Sequence, residues 1–148
     1  MNFKSIGEVR PKHSKDIKHS RIGIGLEKLD RSLYDPEKCY DAIGKLGVGY
    51  VRIQSGWMKT EKEKGVYDFA WLDRIVDNII SQGATVWMCL CYGNPIYSEE
   101  AKKVNGAIGV PPIHTKEERE GWHNYCYAVA EHFKGRVGMY EVWNEPDG

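Results

Sequence analysis

The segment Thr85–Cys91 (TVWMCLC) is nearly continuously apolar, and it decides the class of fold. A strand with one face in water alternates apolar and polar residues, whereas an unbroken apolar run is typical of a parallel strand buried on both faces. The residues just before it, from Asp68 to Gly83, place apolar side chains at the i, i+3, i+4, i+7 spacing of an amphipathic helix. A buried parallel strand that follows such a helix predicts an α/β fold.

The alternation of strand and helix continues toward the N-terminus. β-Rich or alternating stretches predict strands at Ile22–Leu26 and at Tyr50–Gln54. Between them, Asp35 and Pro36 are suited to the N-cap and first turn of a helix, which ends before Gly47. This part of the chain therefore supplies two strands and one helix before the helix and strand of residues 68–91.

The same alternation continues toward the C-terminus. After a loop that contains Gly and Pro, Thr115 and Glu118 form a capping box that starts a helix ending at Gly135. Val137–Trp143 follows as the fourth strand. The predicted order is βαβαβαβ, which implies a parallel sheet with right-handed crossovers and helices covering it.

Two architectures fit this order, a doubly wound sheet and a (β/α)8 barrel of the TIM type. A doubly wound sheet normally has a glycine-rich phosphate loop after its first strand, but residues 23–30 (GIGLEKLD) contain neither G-x-G-x-x-G nor a Walker sequence. The barrel is therefore favoured. Residues 22–148 are close to half of a complete barrel of about 250 residues. We predict a polar N-terminal arm over residues 1–21 and the first four strands of the barrel over residues 22–148.

Composition and charge exclude several classes of function. The chain has 21 Lys and Arg against 21 Asp and Glu and no basic run, which disfavours nucleic acid as a partner. The first twenty residues lack an apolar core, and no stretch approaches the roughly 18 apolar residues of a membrane span. We therefore expect a cytoplasmic protein with no membrane partner. Residues 59–64 (KTEKEK) are most simply interpreted as a solvated loop.

Cysteine and histidine give no sign of a metal or redox centre. The five histidines form no metal-spaced set, and the four cysteines are too few and too scattered for a disulfide framework. We expect reduced cysteines that pack in the core, no metal and no cofactor. The cysteines are Cys39, Cys89, Cys91 and Cys126.

The end of the fourth strand has the greatest concentration of reactive side chains. In a barrel, catalytic groups lie at the C-terminal ends of the strands. Tyr140–Gly148 (YEVWNEPDG) brings two carboxylates, an indole and an amide to the point where the chain leaves the sheet, and Pro146 stiffens the exit. Glu145 is placed there for proton transfer. Glu141 lies further back along the strand and is predicted to be a structural partner of Arg52.

This stretch resembles the fourth-strand motif of clan A glycoside hydrolases and is closest in form to family 39, which contains β-xylosidases and α-L-iduronidases. Three other segments are similar to the clan. Residues 50–57 (YVRIQSGW) match its second-strand arginine, residues 64–73 (KGVYDFAWLD) match the loop and helix start that follow, and residues 90–97 (LCYGNPIY) match the third-strand exit. The resemblance implies a TIM barrel that hydrolyses glycosidic bonds with retention and without a cofactor.

The resemblance also implies roles for individual residues. Glu145 would be the general acid/base, Asn144 would bind the sugar 2-hydroxyl group, and Arg52 would orient and ionise the nucleophile. Four further residues lie where the carbohydrate substrate would be held, since flat rings suit the apolar faces of a pyranose and an amide suits its hydroxyl groups. These residues are Trp57, Tyr92, Asn94 and Trp143.

One element of the clan is missing from residues 1–148. The clan's nucleophile is a glutamate at the end of the seventh strand, and residues 1–148 reach only the fourth. The leading hypothesis is therefore a glycoside hydrolase or its N-terminal fragment, and the alternative is a non-catalytic carbohydrate-binding half-barrel. A cofactor-free isomerase or lyase is disfavoured, because the four strand ends carry neither a phosphate loop nor a lysine.

The half-barrel also predicts association. The first and fourth strands would each have an unpaired edge, and two copies could pair the fourth strand of one with the first strand of the other. Such a homodimer would close eight strands and bury the inner faces of Val51, Ile53, Cys89 and Cys91.

Overall fold

The computed structural model describes residues 3–103 and 106–145. Its strands are β1 (Gly23–Gly25), β2 (Tyr50–Gln54), β3 (Glu61–Glu63), β4 (Val66–Tyr67), β5 (Thr85–Leu90) and β6 (Met139–Val142). The strands β1, β2, β5 and β6 form one sheet in that order, and every neighbouring pair in it is parallel. This is the predicted succession of four parallel strands, and β2 lies at its predicted bounds.

Along the chain, helices alternate with the strands of the sheet, as the βαβαβαβ order predicts. They are α1 (Tyr40–Lys45), α2 (Trp57–Thr60), α3 (Ala70–Ser81), α4 (Gly106–Gly109) and α5 (Lys116–His132). The connections through α1, α3 and α5 each join two neighbouring strands, whereas α2 and α4 are short turns in the loops after β2 and β5. Among the described residues, no helix is both long enough and apolar enough to cross a bilayer.

The start of α5 confirms the predicted capping box. The Thr115 hydroxyl oxygen accepts a hydrogen bond from the Glu118 backbone N–H at 3.1 Å, and the Glu118 carboxylate accepts from the N–H groups of Thr115 at 3.1 Å and His114 at 2.8 Å. Burial raises the pKa of Glu118, but these backbone N–H groups outweigh it and hold the pKa below its ordinary value. The cap therefore fixes where the chain enters the helix before β6.

The two faces of the sheet differ in chemistry, which corrects one sequence-based expectation. Val51 and Ile53 were expected on the inner face, but both are fully buried in the core that the helices form against the sheet. Because side chains alternate along a strand, the opposite face of β2 carries Tyr50 and Arg52. Arg52 pairs in register with Trp87 of β5. The face that would line the barrel interior is therefore polar and aromatic rather than aliphatic.

Residues 59–64 are not the solvated loop that their charge pattern suggests. They form the end of α2 and the strand β3, which pairs with β4 in an antiparallel hairpin. Glu61 is fully buried there, and its carboxylate accepts hydrogen bonds from the Trp57 indole, from Tyr97 Oη at 2.6 Å and from the Gly65 N–H at 2.7 Å. Three donors explain how a carboxylate can be buried at this position.

The N-terminal residues divide into an exposed part and a packed part. Residues 3–12 are exposed. Ser14 is buried and donates to the Gly44 carbonyl at 3.2 Å, and Ser20 donates to the Gly47 carbonyl at 2.8 Å. Residues 13–20 therefore pack at the C-terminal end of α1, where the chain leads into β2 and away from the C-terminal ends of the strands.

Candidate active site

Polar side chains from three strands of the sheet meet around one arginine. Arg52 of β2 donates through Nη1 to Glu27 Oε1 at 2.6 Å, through Nε to Glu141 Oε2 at 3.1 Å, and through Nη2 to Asn144 Oδ1 at 2.9 Å. Glu27 follows β1, and Glu141 and Asn144 lie in and after β6. One guanidinium group thus connects the first, second and fourth strands at the edge of the sheet where a barrel carries its catalytic groups.

The predicted pairing of Arg52 with Glu141 is present and determines the charge of both groups. The hydrogen bond from Arg52 is the main cause that holds the pKa of Glu141 below its ordinary value, and Glu141 in turn raises the pKa of Arg52. Glu141 is therefore a carboxylate at neutral pH and has no proton to give. Of the two glutamates near the end of β6, the pairing leaves Glu145 as the candidate proton donor.

The depressed pKa of Glu141 makes stability depend on pH. Because its folded pKa lies below its unfolded value of about 4.5, the pair stabilises the fold above that pH and loses this effect as the pH falls through the folded pKa. We expect Glu141→Gln to lower the free energy of unfolding by about 2 kcal/mol at pH 7. The difference from the unsubstituted chain should shrink near pH 3.5.

Urea unfolding at the two pH values measures this difference. The matched control is Glu131→Gln, because Glu131 lies exposed on α5; it should change stability by less than about 0.5 kcal/mol at either pH. A stability difference for Glu141→Gln that stays constant between pH 7 and pH 3.5 would contradict the assigned ion pair.

Glu27 is a site residue that sequence reasoning missed. Its Oε1 accepts from Arg52, while Oε2 is buried and has no hydrogen-bond partner in the part of the chain that the structure describes. The available signal was its position two residues after β1, since strand ends are where a barrel places its reactive groups. A carboxylate with one free buried oxygen at this mouth can accept a hydrogen bond from a ligand.

Trp143 is held where the chain turns out of β6. Its backbone N–H donates to the Leu90 backbone carbonyl at 3.0 Å, and its backbone carbonyl accepts from Cys89 Sγ at 3.1 Å. The Trp143 ring meets the Tyr92 ring edge-on at 5.7 Å and the Trp122 ring at 5.8 Å. Two predicted substrate-binding residues, Tyr92 and Trp143, are therefore in contact at the ends of β5 and β6.

Glu145 lies exposed at the end of this turn. The backbone φ angles of Trp143 and Glu145 are 65° and 52°, in the left-handed region that side chains other than glycine rarely adopt. Such strained backbone is frequent where a fold aims functional side chains. The predicted stiffening by Pro146 lies outside the described residues, as do Asp147 and Gly148.

Trp57 and Asn94, two further residues predicted to bind substrate, are both buried in this structure. Trp57 is fully buried, and its ring stacks on Tyr97 at a centroid distance of 5.0 Å. Both ends of the Asn94 side-chain amide have hydrogen-bond partners: Nδ2 donates to the Glu61 backbone carbonyl at 2.8 Å, and Oδ1 accepts from the Ile96 backbone N–H at 3.1 Å. Both side chains therefore pack within the loops after β2 and β5, and their contact with a substrate stays a prediction.

Within residues 3–103 and 106–145, no three His, Cys, Asp or Glu side chains lie close enough together to hold a metal ion. The four cysteines are all unpaired thiols.

Sequence comparison finds relatives among glycoside hydrolases. A β-galactosidase family model, glycoside hydrolase family 42, matches residues 33–96. The β-galactosidase BbgII of Bifidobacterium bifidum is 30% identical in an alignment that covers 74% of this chain and 19% of that protein. The chain thus spans about a fifth of the length of this curated relative.

Solved structures give the same fold. A family 39 glycoside hydrolase from the gut symbiont Bacteroides cellulosilyticus WH2 superposes with a TM-score of 0.64 at 24% identity, over 83% of this chain and 24% of that one. A β-galactosidase from the Antarctic haloarchaeon Halorubrum lacusprofundi gives a TM-score of 0.67 at 20% identity, over 84% of this chain and 21% of that one. The comparisons confirm the resemblance to clan A glycoside hydrolases, and the four-stranded sheet has the fold of the corresponding part of their (β/α)8 barrels.

Proposed function

We propose that this chain is the N-terminal half of the barrel of a retaining glycoside hydrolase and that Glu145 is its general acid/base. The observation that carries the proposal is the Arg52 hydrogen bond to Asn144 at 2.9 Å, since it couples the second-strand arginine to the residue beside Glu145. The substrate we propose is a β-galactoside, because the family model and two of the similar proteins bear the name β-galactosidase.

The reaction divides between this half of the barrel and the half that would complete it. Glu145 protonates the glycosidic oxygen while a carboxylate from the seventh strand attacks the anomeric carbon, and Glu145 then takes a proton from the water that releases the sugar. The exposed position of Glu145 leaves it accessible to a leaving group. Glu141 cannot share this role, because Arg52 keeps it ionised.

Asn144 is oriented for one kind of contact. Its Oδ1 accepts from Arg52, so its NH₂ end is left to donate to an oxygen of the substrate, such as the sugar 2-hydroxyl group. A hydrogen bond at this hydroxyl strengthens in an oxocarbenium-like transition state. The partly exposed Trp143 ring supplies a flat surface for the apolar face of the sugar, and Tyr92 supports it from behind.

This proposal is tested by measuring glycoside hydrolysis with a longer polypeptide that contains residues 1–148 and the remaining strands of the barrel. The coding sequence beyond Gly148 is read for four further β/α units, and the encoded polypeptide is incubated with nitrophenyl β-galactoside and nitrophenyl β-xyloside. We expect hydrolysis whose first product has the β configuration by proton NMR. Inversion, or no hydrolysis by a folded complete barrel, would refute the proposal.

The second candidate is a carbohydrate-binding half-barrel without catalysis. One observation favours it: the Arg52 charge is already balanced by the carboxylates of Glu27 and Glu141 in the described part of the chain, without a carboxylate from a seventh strand. This candidate predicts saturable sugar binding by the chain and no hydrolysis by any polypeptide that contains it.

We further propose that the chain expressed by itself forms a homodimer. Within the sheet, β1 and β6 each have one neighbouring strand, and Ile24 and Val142 are 36% and 73% exposed. Pairing of β1 with β6 of a second copy would satisfy both edges and cover the inner face that carries Tyr50 and Trp87. The four thiols are consistent with a reducing, cytoplasmic compartment, which we propose as the location.

Light scattering and amide hydrogen exchange measure this association. We expect a particle with twice the 16.9 kDa chain mass and slow exchange in both edge strands. A monodisperse monomer with protected amides in both edge strands would contradict the proposal, since the strands would then be stable without a partner.

A further inference from the structure

One nitrogen of the Arg52 guanidinium carries a hydrogen without an acceptor among the described residues. An arginine side chain has five N–H donors. Nε donates to both oxygens of Glu141, and Nη2 donates to Glu141 and to Asn144. Nη1 donates to Glu27 Oε1 at 2.6 Å and to nothing else in the part of the chain that the structure describes. By elimination, the second hydrogen of Nη1 is the donor that Arg52 retains for a further group.

Glu27 restrains the direction of that remaining N–H. The donors of a guanidinium group lie in one plane and in a fixed fork geometry, so the direction of each N–H follows from the orientation of the whole group. The contacts with Glu141 and Asn144 lie along one edge, at Nε and Nη2. A group held along one edge can still rock about that edge. The Glu27 contact at Nη1 is off this edge and prevents that motion.

The backbone on either side of Glu27 is bonded to β2, the strand that carries Arg52. The Leu26 N–H donates to the Arg52 carbonyl at 2.8 Å, and the Lys28 N–H donates to Gln54 Oε1 at 3.0 Å. Lys28 has a backbone φ of 69°, in the left-handed region that side chains other than glycine rarely adopt. Such backbone persists where surrounding contacts hold it. The position of the Glu27 carboxylate is therefore fixed relative to the sheet.

Gly25 leaves room for the Glu27 side chain to reach Arg52. Gly25 pairs in register with Arg52, and Glu27 follows two residues further along the chain. A Cβ at Gly25 would lie 3.1 Å from Glu27 Oε1, which is closer than ordinary van der Waals contact. The carboxylate therefore folds back over a position that has no side chain, opposite the arginine that it holds.

We propose that Glu27 is a positioning residue for glycoside hydrolysis, which holds Nη1 of Arg52 so that the remaining N–H of that guanidinium meets the nucleophile carboxylate of the completed barrel. This role rests on the proposed function, because the nucleophile belongs to the seventh strand. A hydrogen bond to one oxygen of that carboxylate leaves the other oxygen to attack the anomeric carbon. A misplacement of about 1 Å can lower a rate about 100-fold, so the direction of this N–H affects the attack.

The rate of attack by the nucleophile measures this role. The substrate is a dinitrophenyl β-galactoside, or the matching β-xyloside, whose 2-hydroxyl group is replaced by fluorine, and it is mixed with the polypeptide that completes the barrel. The nucleophile oxygen bonds to the anomeric carbon while dinitrophenolate leaves with the electrons of the broken bond, without a proton from Glu145. Because fluorine slows release of the sugar, the amount of dinitrophenolate counts the competent sites. Its time course gives the limiting rate constant and the half-saturation concentration.

Glu27→Ala should lower the limiting rate constant by about 10- to 100-fold without changing the number of competent sites, because Nη1 loses its acceptor. Glu27→Gln keeps an oxygen acceptor, so its rate constant should lie closer to that of the unsubstituted polypeptide than to that of Glu27→Ala. The matched control is Glu131→Ala, which removes an exposed carboxylate on α5 and should change neither quantity.

Four results would overturn the positioning role. Fewer competent sites with an unchanged rate constant would mean that Glu27 serves only folding. A higher half-saturation concentration with an unchanged limiting rate constant would make Glu27 a substrate contact. Equal losses for Glu27→Gln and Glu27→Ala would mean that Glu27 supplies charge rather than position. These three results leave the proposed function in place, since the unsubstituted polypeptide still reacts. If the folded unsubstituted polypeptide reacts with neither glycoside, the proposed function and the positioning role fail together.

Discussion

Replacing Glu145 with Gln in a complete barrel is expected to lower kcat/KM for an alkyl β-galactoside by about 10²- to 10⁴-fold, because an amide cannot protonate the departing oxygen. The size of the loss should depend on the leaving group. A dinitrophenolate is stable without a proton, so the bond-breaking step for a dinitrophenyl β-galactoside should be affected far less. Steady-state and single-turnover kinetics on the two substrates measure this difference.

Two other glutamates provide controls for the Glu145→Gln variant. Glu141→Gln should reduce the rate on both substrates by a similar factor, because Glu141 acts through the position of Arg52 rather than by proton transfer. Glu63→Gln alters an exposed carboxylate on β3 and should leave both rates unchanged. An equal loss on both substrates for Glu145→Gln would mean that another group is the proton donor. The chain by itself should hydrolyse neither substrate, since residues 1–148 supply no seventh-strand carboxylate.

The parts of the fold that the sequence predicted well depend on local signals. The capping hydrogen bonds at Thr115 involve residues within four positions of one another, and the bounds of β2 follow from a short β-rich run. The order of strands and helices follows from such signals taken in sequence, with the connection rules for parallel sheets. The pairing of Arg52 with Glu141 was also predicted, because a charge inside a barrel needs a partner of opposite sign.

The parts that the sequence did not predict depend on contacts between distant residues. Glu61 appears in the sequence as one charge in a polar run, and its burial depends on Tyr97, 36 residues away, which bonds to its carboxylate and stacks on Trp57. Trp57 was predicted to contact the substrate because it follows β2, at the end of the sheet where a barrel binds its substrate. Its burial comes from rings that are distant in sequence, since Tyr97 and Tyr125 stack on it. Glu27 was missed because its bond to Arg52 requires the register of β1 against β2.

Glu61→Ala is expected to lower the free energy of unfolding by about 3 kcal/mol or more. The substitution removes the only acceptor that the described residues give to the Trp57 indole, to Tyr97 Oη and to the Gly65 N–H. Each buried donor left without a partner costs about 1 to 3 kcal/mol, and the lost side chain adds a cavity beside a fully buried indole. Urea unfolding measures the change. Glu63→Ala, two residues along the same strand, is the matched control.

The same substitution should be felt at the candidate active site. The Trp57 ring lies 5.5 Å from the Trp122 ring, which lies 5.8 Å from the ring of Trp143. Because packed aromatic rings move together rather than leave voids, loss of the Glu61 anchor should displace Trp143 and weaken sugar binding even where the chain remains folded. Glu63 is exposed, so Glu63→Ala should change the free energy of unfolding by less than about 0.5 kcal/mol. It should also leave the NMR signal of the Trp143 indole N–H unshifted. Glu61→Ala could instead lower stability and leave the Trp143 indole signal unshifted. In that case Glu61 stabilises only the β3–β4 hairpin, and the contacts from Trp57 through Trp122 to Trp143 do not transmit its loss to the turn that carries Glu145.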